Sequence, residues 1–401
     1  MGKEKARVSS RKIALKENVY EAALERIRSL FDLFDNLVVG FSGGKDSTVV
    51  LNLALKVARE RGRLPIDVFF LDQEAEWQAT IDIVRHVASM PEIRMHWLQA
   101  PFRIFNATSN TSHWLCAWDP ALPDKWVRDR EPNSIHENNL GTDRFHEIFP
   151  AWLDHYFKGQ SAAYIAGVRC EESPNRFLSL TQSETFQGRT WGKALSHKKR
   201  QYTFYPIYDW SYVDVWKSIH DNQWPYCKIY DAFYQYGVAV NRMRVSNLHH
   251  ETAVSSLFIL QELEPHNYNR IVQRMPGIDM TGKLAENYYC PKALPPVFSS
   301  WKEYRDYLTM TLLDEDWQDK FYRKYEDQED IWYPFFGESL YKKQIASIMT
   351  NDHEFVKMAA FNVPRDKYDE FIAHKSRIRA DRKQVRMEPD PQIPSDDCGE
   401  P

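Results

Sequence analysis

Short apolar runs alternate with amphipathic stretches along the first half of the chain. The apolar runs are rich in β-branched and aromatic residues, which is typical of buried strands. They span residues 37–41, 66–71, 92–98 and 161–168. Apolar residues at helical spacing predict helices over 17–34, 48–60 and 75–88. Strands that alternate with helices predict an α/β fold built on a doubly wound parallel sheet.

Two stretches interrupt this alternation. Residues 102–147 carry many Trp and Pro residues but few helix or strand patterns, so we predict an ordered insertion at the rim of a site. Residues 181–200 are polar and basic, and they predict either a flexible lid over an anionic substrate or a solvated loop.

The chain after residue 240 changes character. Aromatic residues at helical spacing predict helices over 243–263 and 301–329. The resulting domain organisation is a basic arm, an α/β domain, a helical C-terminal domain and a charged, Pro-rich tail that we expect to be disordered. Their predicted limits are 1–16, 17–240, 241–375 and 376–401.

Net charge, aromatic content and the length of apolar runs exclude some classes of protein. A net charge of −4 over 401 residues gives no overall basic field, so we expect nucleic acid to be involved only indirectly. Aromatic residues make up 14 % of the chain, which favours a packed globular protein. The sequence shows no apolar run of membrane-spanning length and no signal-peptide core, so we expect a cytoplasmic protein without membrane contact.

The cysteines are spread widely along the chain. They are Cys116, Cys170, Cys227, Cys290 and Cys398. Because no Cys-x-x-Cys pair occurs, we expect no iron–sulfur cluster, no zinc site and no dithiol redox centre.

The turn after the first predicted strand is the strongest chemical signal. It reads Ser42, Gly43, Gly44, Lys45, Asp46 and Ser47. Glycines let the backbone approach an anion, Lys45 adds a positive charge, and free N–H groups at a helix N-terminus favour phosphate. The alternative is a plain turn whose Asp46 and Ser47 cap the helix. A run of six such residues after a buried strand favours phosphate binding.

Acidic residues follow the second predicted strand. Asp72 and Glu74 lie where a parallel sheet places its ligands, at the carboxyl end of a strand. Two roles are open for them, coordination of Mg²⁺ or hydrogen bonds to a ribose. The alternative is acidic decoration of a helix N-terminus, which the helix dipole alone would favour.

A second cluster follows the strand at 161–168. Gly167 permits close approach, while Arg169 and Arg176 offer bidentate positive groups for phosphate or sulfate. Glu171 and Glu172 would hold these arginines or reach a metal. The alternative is a surface salt-bridge cluster at a helix start.

These motifs carry a family resemblance. The turn at 42–47 resembles the Ser-Gly-Gly-x-Asp-Ser signature of the PP-loop ATP pyrophosphatases. Residues 167–176 and 206–216 resemble two further stretches of the phosphoadenosine phosphosulfate (PAPS) reductases in that superfamily. The fold that this resemblance implies is adenine nucleotide alpha hydrolase-like.

The resemblance also implies roles for individual residues. It implies ATP or a PAPS-like adenine nucleotide as the ligand, with Mg²⁺ held by Asp46 and Asp72. The expected ligand-binding residues are Ser42, Gly43, Gly44, Lys45, Asp46, Ser47, Asp72, Gly167, Arg169, Glu172 and Ser173. The expected catalytic residues are Lys45, Asp46, Arg169 and Arg176.

The resemblance stops at the reductase chemistry. PAPS reductases carry a Glu-Cys-Gly-x-His segment that supplies a thiolate, and this chain has none. A PAPS-reductase-like core followed by a helical domain is similar to the immunoglobulin-binding regulator A type of protein. That similarity implies a bacterial or prophage origin and a ParB-like protein partner. A homo-oligomer is compatible with the sequence.

Three functions are therefore open. The leading one is a transferase-type ATP pyrophosphatase that cleaves ATP at the α-phosphate and releases pyrophosphate. A non-catalytic nucleotide-sensing regulator that acts with a ParB-like partner is the second. A PAPS reductase that uses an unrecognised thiol is the third.

Overall fold

The computed structural model divides into two compact units, Met1–Thr108 with Trp114–Lys283, and Ser109–His113 with Leu284–Pro401. It describes residues 16–105, 114–172, 176–177, 180, 185–196, 200–240, 243, 245, 248, 256–275, 278, 293–349, 352, 355, 363 and 365–385. The predicted basic arm lies outside the described residues, apart from residue 16.

The first unit is built on a seven-stranded sheet in the order β3-β2-β1-β6-β9-β8-β7. Its strands are β1 Asn36–Gly40, β2 Ile66–Leu71, β3 Ile93–Leu98, β6 Ala162–Ile165, β7 Thr185–Phe186, β8 Arg189–Ser196 and β9 Gln201–Phe204. The pairs from β3 to β9 are parallel, whereas β8 joins β9 and β7 joins β8 in antiparallel sense. The predicted α/β fold with a largely parallel sheet is confirmed.

The central strand β1 explains why this sheet forms. Val38 and Val39 are fully or almost fully buried, and Val39 pairs with Val68 of β2 on one side and Ile165 of β6 on the other. A strand buried on both faces must be apolar throughout, which is the pattern that the sequence shows.

The described part of the first unit contains eight α-helices. They are α1 Val19–Leu33, α2 Lys45–Arg61, α3 Gln78–Ala88, α4 Phe145–Tyr156, α5 Tyr212–Asp221, α6 Ile229–Gln235, α7 Leu257–Leu263 and α8 Pro265–Arg274. Local signals set several ends. The Asn18 side chain caps α1, Ser211 and Asp214 form a capping box on α5, and Gly62 ends α2 in the left-handed conformation.

The interpretation of 181–200 as a lid or solvated loop is wrong for residues 185–196, which form β7 and β8. Gly192 lies opposite Phe204 of β9, and the Phe186 ring packs against the Phe204 ring with centroids 5.3 Å apart. β8 mixes polar and apolar residues, so no apolar run in the sequence indicated these contacts. Residues 181–184 and 197–199 lie outside the described residues.

The region predicted as an insertion contains a small separate sheet. β4 Phe102–Phe105 pairs with β5 Trp114–Ala117 in antiparallel sense. Trp118, at the end of β5, is fully buried.

The second unit is helical in its described part. Its helices are α9 Trp301–Leu312, α10 Glu315–Phe336, α11 Glu338–Met349 and α12 Tyr368–Val385. The single helix predicted over 301–329 is divided because Leu313 is extended and the Asp314 side chain caps α10 by accepting from the Trp317 N–H. The predicted tail 376–401 is also corrected, since its first residues, up to Val385, belong to α12.

The helix predicted over 243–263 is shorter than expected. α7 begins at Leu257, and the described residues Met243, Val245 and Leu248 are not helical. In the part of the chain that the structure describes, no helix has the length and apolar character needed to span a membrane.

Candidate functional site

A cavity of about 1020 Å³ lies at the carboxyl ends of β1, β2 and β6. The chain continues from β1 to β2 on one side, whereas β6, the other neighbour of β1, comes much later in the sequence. Such a reversal of strand order leaves a crevice at the sheet edge, which is where ligands bind in this class of fold.

The turn from β1 to α2 forms one wall of the cavity. Ser42, Gly44, Lys45, Asp46 and Ser47 line it directly. α2 begins at Lys45, so the N–H groups of its first turn and the positive end of its dipole lie at this wall. The Lys45 N–H donates to Tyr230 Oη at 3.3 Å.

Gly43 is the member of the turn that is absent from the cavity lining. Its φ is 71°, a left-handed value that favours glycine, and a Cβ there would lie 2.7 Å from Cγ2 of Thr80. Gly43 therefore shapes the turn, and its predicted contact with a ligand stays a prediction.

Gly167 joins β6 to this turn. A Cβ on Gly167 would lie 2.7 Å from the carbonyl carbon of Asp46 and 2.9 Å from the Ser47 nitrogen. Only a residue without a side chain allows the two backbones to meet so closely. The close approach predicted for Gly167 is therefore an approach of β6 to the protein's own turn at 42–47.

A charged cluster occupies the polar side of the cavity. Asp46 accepts hydrogen bonds from Lys45 Nζ at 2.8 Å through Oδ2 and from Arg169 Nε through Oδ1. Lys45, Asp46 and Arg169 are each at most 8 % exposed. Residues far apart in sequence thus meet in one buried ion-pair network.

The second arginine of the motif lies at the edge of the cluster. Arg176 is exposed, and its Nε pairs with Glu172 Oε2 at 2.7 Å. Burial raises the pKa of the Glu172 carboxyl, an effect that the charge of Arg176 opposes. Lys45, Asp46, Arg169, Glu172 and Arg176 are therefore brought together as predicted, and Ser173 lies outside the described residues.

The predicted ligand role of Asp72 is not supported by its contacts. The side chain is fully buried and absent from the cavity lining. Its Oδ2 accepts from Trp97 Nε1 at 2.8 Å, from Gln99 Nε2 at 3.0 Å and from Arg128. Its Oδ1 accepts from the Glu74 N–H at 3.0 Å. Asp72 thus acts inside the protein, where it fixes the end of β2.

The residues predicted to hold Mg²⁺ do not form a cation site. Asp46 is already paired with two cations, and Asp72 is held by four protein donors outside the cavity. Within the described ranges, no group of three or more His, Cys, Asp or Glu side chains is arranged to hold a metal ion. We therefore assign no step to a metal.

Glu76, rather than the expected Asp72, is the acidic residue after β2 that faces the cavity. It lines the cavity and is 4 % exposed. Burial first, and the negative charge of Asp72 second, raise the pKa of its carboxyl to about 8 against the opposing effect of Arg128. Glu76 therefore carries a proton at neutral pH. No local signal distinguishes it from Asp72, because both follow the same strand.

Aromatic side chains form a second part of the cavity wall. Phe69, Phe145, Phe149 and Tyr164 line it, and the rings of Phe149 and Tyr164 have centroids 4.1 Å apart. A charged wall together with an aromatic wall suits a ligand that combines phosphates with a flat ring system. The aromatic wall was missed in the sequence because its members come from three separate elements.

No cysteine is among the described residues that line the cavity. Burial raises the pKa of the Cys116 thiol, and it raises that of Cys227 to about 11. Both thiols are thus poor sources of thiolate at neutral pH. Cys290 and Cys398 lie outside the described residues.

Two known protein domains match consecutive stretches of the chain. Residues 36–236 match the phosphoadenosine phosphosulfate reductase domain. The chain belongs to the PAPS reductase family. Residues 237–389 of this family member match a second domain, DUF3440, whose function is unknown. The predicted family resemblance is confirmed, and family membership supports an adenine nucleotide or sulfonucleotide as the class of ligand.

Several individual proteins are similar to this PAPS reductase family member. The uncharacterized protein YbdN of Escherichia coli (strain K12) is 30 % identical over 315 residues, which are 73 % of this chain and 75 % of YbdN. An adenosine 5′-phosphosulfate reductase of Lysinibacillus sphaericus (strain C3-41) is 23 % identical over 54 % of this chain and 78 % of its own. The solved PAPS reductase of Candida auris is 16 % identical over 60 % of this chain and 98 % of its own, with a TM-score of 0.33.

Proposed function

We propose that this protein binds ATP in the cavity at the ends of β1, β2 and β6, and cleaves it at the α-phosphate with release of pyrophosphate. The observation that carries the proposal is the N-terminus of α2, which faces the same cavity as Lys45 and Arg169. A helix N-terminus together with buried cations is a strong site for a polyphosphate.

The charge balance of the cluster explains how a polyphosphate would bind. Asp46 holds Lys45 and Arg169 in place while the site is empty. An incoming phosphate offers the same cations more oxygen acceptors than one carboxylate does, so the cations can turn from Asp46 to the ligand. Such preorganised positive groups stabilise the charge that develops on a leaving pyrophosphate.

The reaction is a substitution at the α-phosphorus. An acceptor oxygen forms a bond to that phosphorus, and the bond to the bridging oxygen breaks. The bridging oxygen keeps the electron pair and leaves with pyrophosphate, while the acceptor's proton passes to water. The aromatic wall formed by Phe69, Phe145, Phe149 and Tyr164 would hold the adenine or the acceptor beside the phosphates.

A nucleotide-sensing regulator is the second candidate. It is favoured by the pairing of Asp46 with both Lys45 and Arg169, because cations partly neutralised by a carboxylate give less stabilisation to the charge that develops on a leaving pyrophosphate. In that role the protein would act with a protein partner such as the ParB-like one expected from the resemblance. Thiol-dependent reduction has less support, since the described cavity lining contains no cysteine.

The deciding experiment follows α-labelled ATP in the full chain, with and without Mg²⁺ and sulfate. We expect pyrophosphate and a labelled AMP-containing product from the wild type and neither from Asp46→Ala. Asp129→Asn removes an exposed carboxylate of the same unit and serves as the matched control. Tight ATP binding with no product under any condition would refute cleavage and leave the regulator.

A further inference from the structure

The loop between β2 and α3 forms part of the cavity wall. Gln73 and Glu76 of this loop line the cavity. Glu74 between them has a φ of 72°, a left-handed value that a side chain other than glycine rarely adopts. A conformation of this kind persists only when surrounding contacts hold it.

Those contacts come partly from much later in the chain. The Leu248 N–H donates to the Ala75 carbonyl at 2.8 Å, and Asn267 Nδ2 donates to the Glu76 carbonyl at 2.9 Å. Both donors belong to the stretch that matches the domain of unknown function. The backbone of the loop is thus fixed at two successive residues.

The start of α3 is capped from the same stretch. Its own N-cap residue, Trp77, provides no side-chain hydrogen bond. Glu264 supplies the cap instead, because its carboxylate accepts from the Gln78 N–H at 2.9 Å and the Ala79 N–H at 3.4 Å. Asn267 Nδ2 also donates to Glu264 at 2.7 Å, which holds the capping carboxylate in place.

Glu74 is held by a buried ion pair. Arg274 Nε donates to Glu74 Oε1 at 2.7 Å, and both side chains are at most 5 % exposed. The Glu74 carboxylate also accepts from the Trp118 N–H at 2.8 Å and the Val127 N–H at 3.2 Å. Removing Arg274 would leave the buried Glu74 carboxylate without its positively charged partner, which would destabilise the folded chain.

The same stretch reaches the cavity itself. Met243 and Val245 line it, and Val245 Cγ2 lies 3.3 Å from the position of a Cβ on Gly44. The cavity wall is therefore continuous across the boundary between the two family matches, which falls at residues 236 and 237.

We propose, building on the nucleotide binding proposed above, that Met243, Val245, Leu248 and the described residues at 256–274 complete the nucleotide site. Glu264, Asn267 and Arg274 are its positioning residues. They act through the loop at 72–77, whose Gln73 and Glu76 face the ligand. The reductase-like domain at 36–236 is then an incomplete binding unit by itself. The first part of the domain of unknown function belongs to the site.

The test compares two asparagines on α8 in the full chain. Asn267→Ala removes the hydrogen bonds to Glu76 and Glu264, whereas Asn269→Ala changes an exposed residue of the same helix. We expect Asn267→Ala to bind ATP about 5- to 10-fold more weakly than the wild type, the loss typical of one or two hydrogen bonds. Asn269→Ala should bind as the wild type does. Equal ATP affinities for both variants would overturn the proposal.

A second pair of variants tests Arg274. Arg274→Lys keeps the positive charge beside Glu74 and should retain more ATP affinity than Arg274→Met, provided that circular dichroism shows both to be folded. If neither folds, the asparagine pair still decides. Equal affinity of folded Arg274→Met and the wild type would remove Arg274 from the positioning residues.

Amide hydrogen exchange separates this proposal from the proposed function. Without any ligand, the amides from Ala75 to Ala79 should exchange faster in Asn267→Ala than in Asn269→Ala. If the wild type binds no adenine nucleotide, the proposed function fails, but the exchange rates still report whether α8 holds the loop. Unchanged exchange in Asn267→Ala would refute the positioning role.

Discussion

Replacing Glu76 by Gln should make the first unit more stable, and increasingly so as the pH rises. The folded chain raises the pKa of this carboxyl from 4.5 to about 8. Glu76 therefore binds its proton more tightly in the folded chain than in the unfolded one. Between pH 4.5 and about pH 8, the carboxyl ionises in the unfolded chain, which stabilises the unfolded state. In the folded chain it keeps its proton over the same range. Gln has nearly the same shape and cannot ionise in either state.

The size of the effect follows from the pKa difference. A pKa difference of one unit corresponds to about 1.4 kcal/mol. Relative to strongly acidic solution, Glu76 therefore lowers the free energy of unfolding of the wild type by about 4 kcal/mol at pH 8 and by about 1 kcal/mol at pH 5. For a unit of this size, 1 kcal/mol corresponds to about 2 °C in Tm. Glu76→Gln should therefore melt about 8 °C above the wild type at pH 8 and about 2 °C above it at pH 5.

Scanning calorimetry at several pH values measures this difference. Glu17→Gln, which removes an exposed carboxyl of the same unit, is the matched control and should follow the wild type throughout. A Tm difference for Glu76→Gln that is the same at pH 5 and pH 8 would refute the reasoning. A variant that melts below the wild type at pH 8 would refute it as well.

The other predictions concern backbone contacts, charge and helix capping. Gly167→Ala should destabilise the first unit by about 1–3 kcal/mol and weaken ATP binding, because its Cβ would meet the Asp46 backbone at 2.7 Å; melting and titration of the same sample test both effects. Arg169→Met should abolish measurable ATP binding and lower the free energy of unfolding by about 3 kcal/mol, because Asp46 keeps only Lys45 as a partner. An ATP affinity within twofold of the wild type would contradict this prediction. Asp314→Ala should cost about 1 kcal/mol by removing the cap of α10, and a denaturant midpoint equal to that of the wild type would disprove the cap's contribution.

The parallel core was predictable because its signals are local. Strands buried on both faces are mostly apolar, so β1, β2, β3 and β6 were visible as runs in the sequence. The strands at the far edge were not, because β8 mixes polar and apolar residues and the contacts of Phe186 and Gly192 are made with Phe204 of another strand.

The turn at 42–47 was equally visible, since its glycines, charge and hydroxyls are consecutive. The sequence also indicated both arginines of the second motif by their spacing. It could not show that Arg169 pairs with Asp46, because 123 residues separate them and only the adjacency of β1 and β6 brings them together.

The sequence by itself thus determined which segments of the core are strands and helices along the chain. It also determined the residue types at the turn at 42–47. The tertiary structure decided which acidic residue faces the cavity. Asp72 and Glu76 follow the same strand, yet Asp72 is enclosed by Trp97, Gln99 and Arg128, while Glu76 lines the cavity. Those partners come from other elements, and burial and charge pairing depend on three-dimensional neighbours that no local pattern encodes.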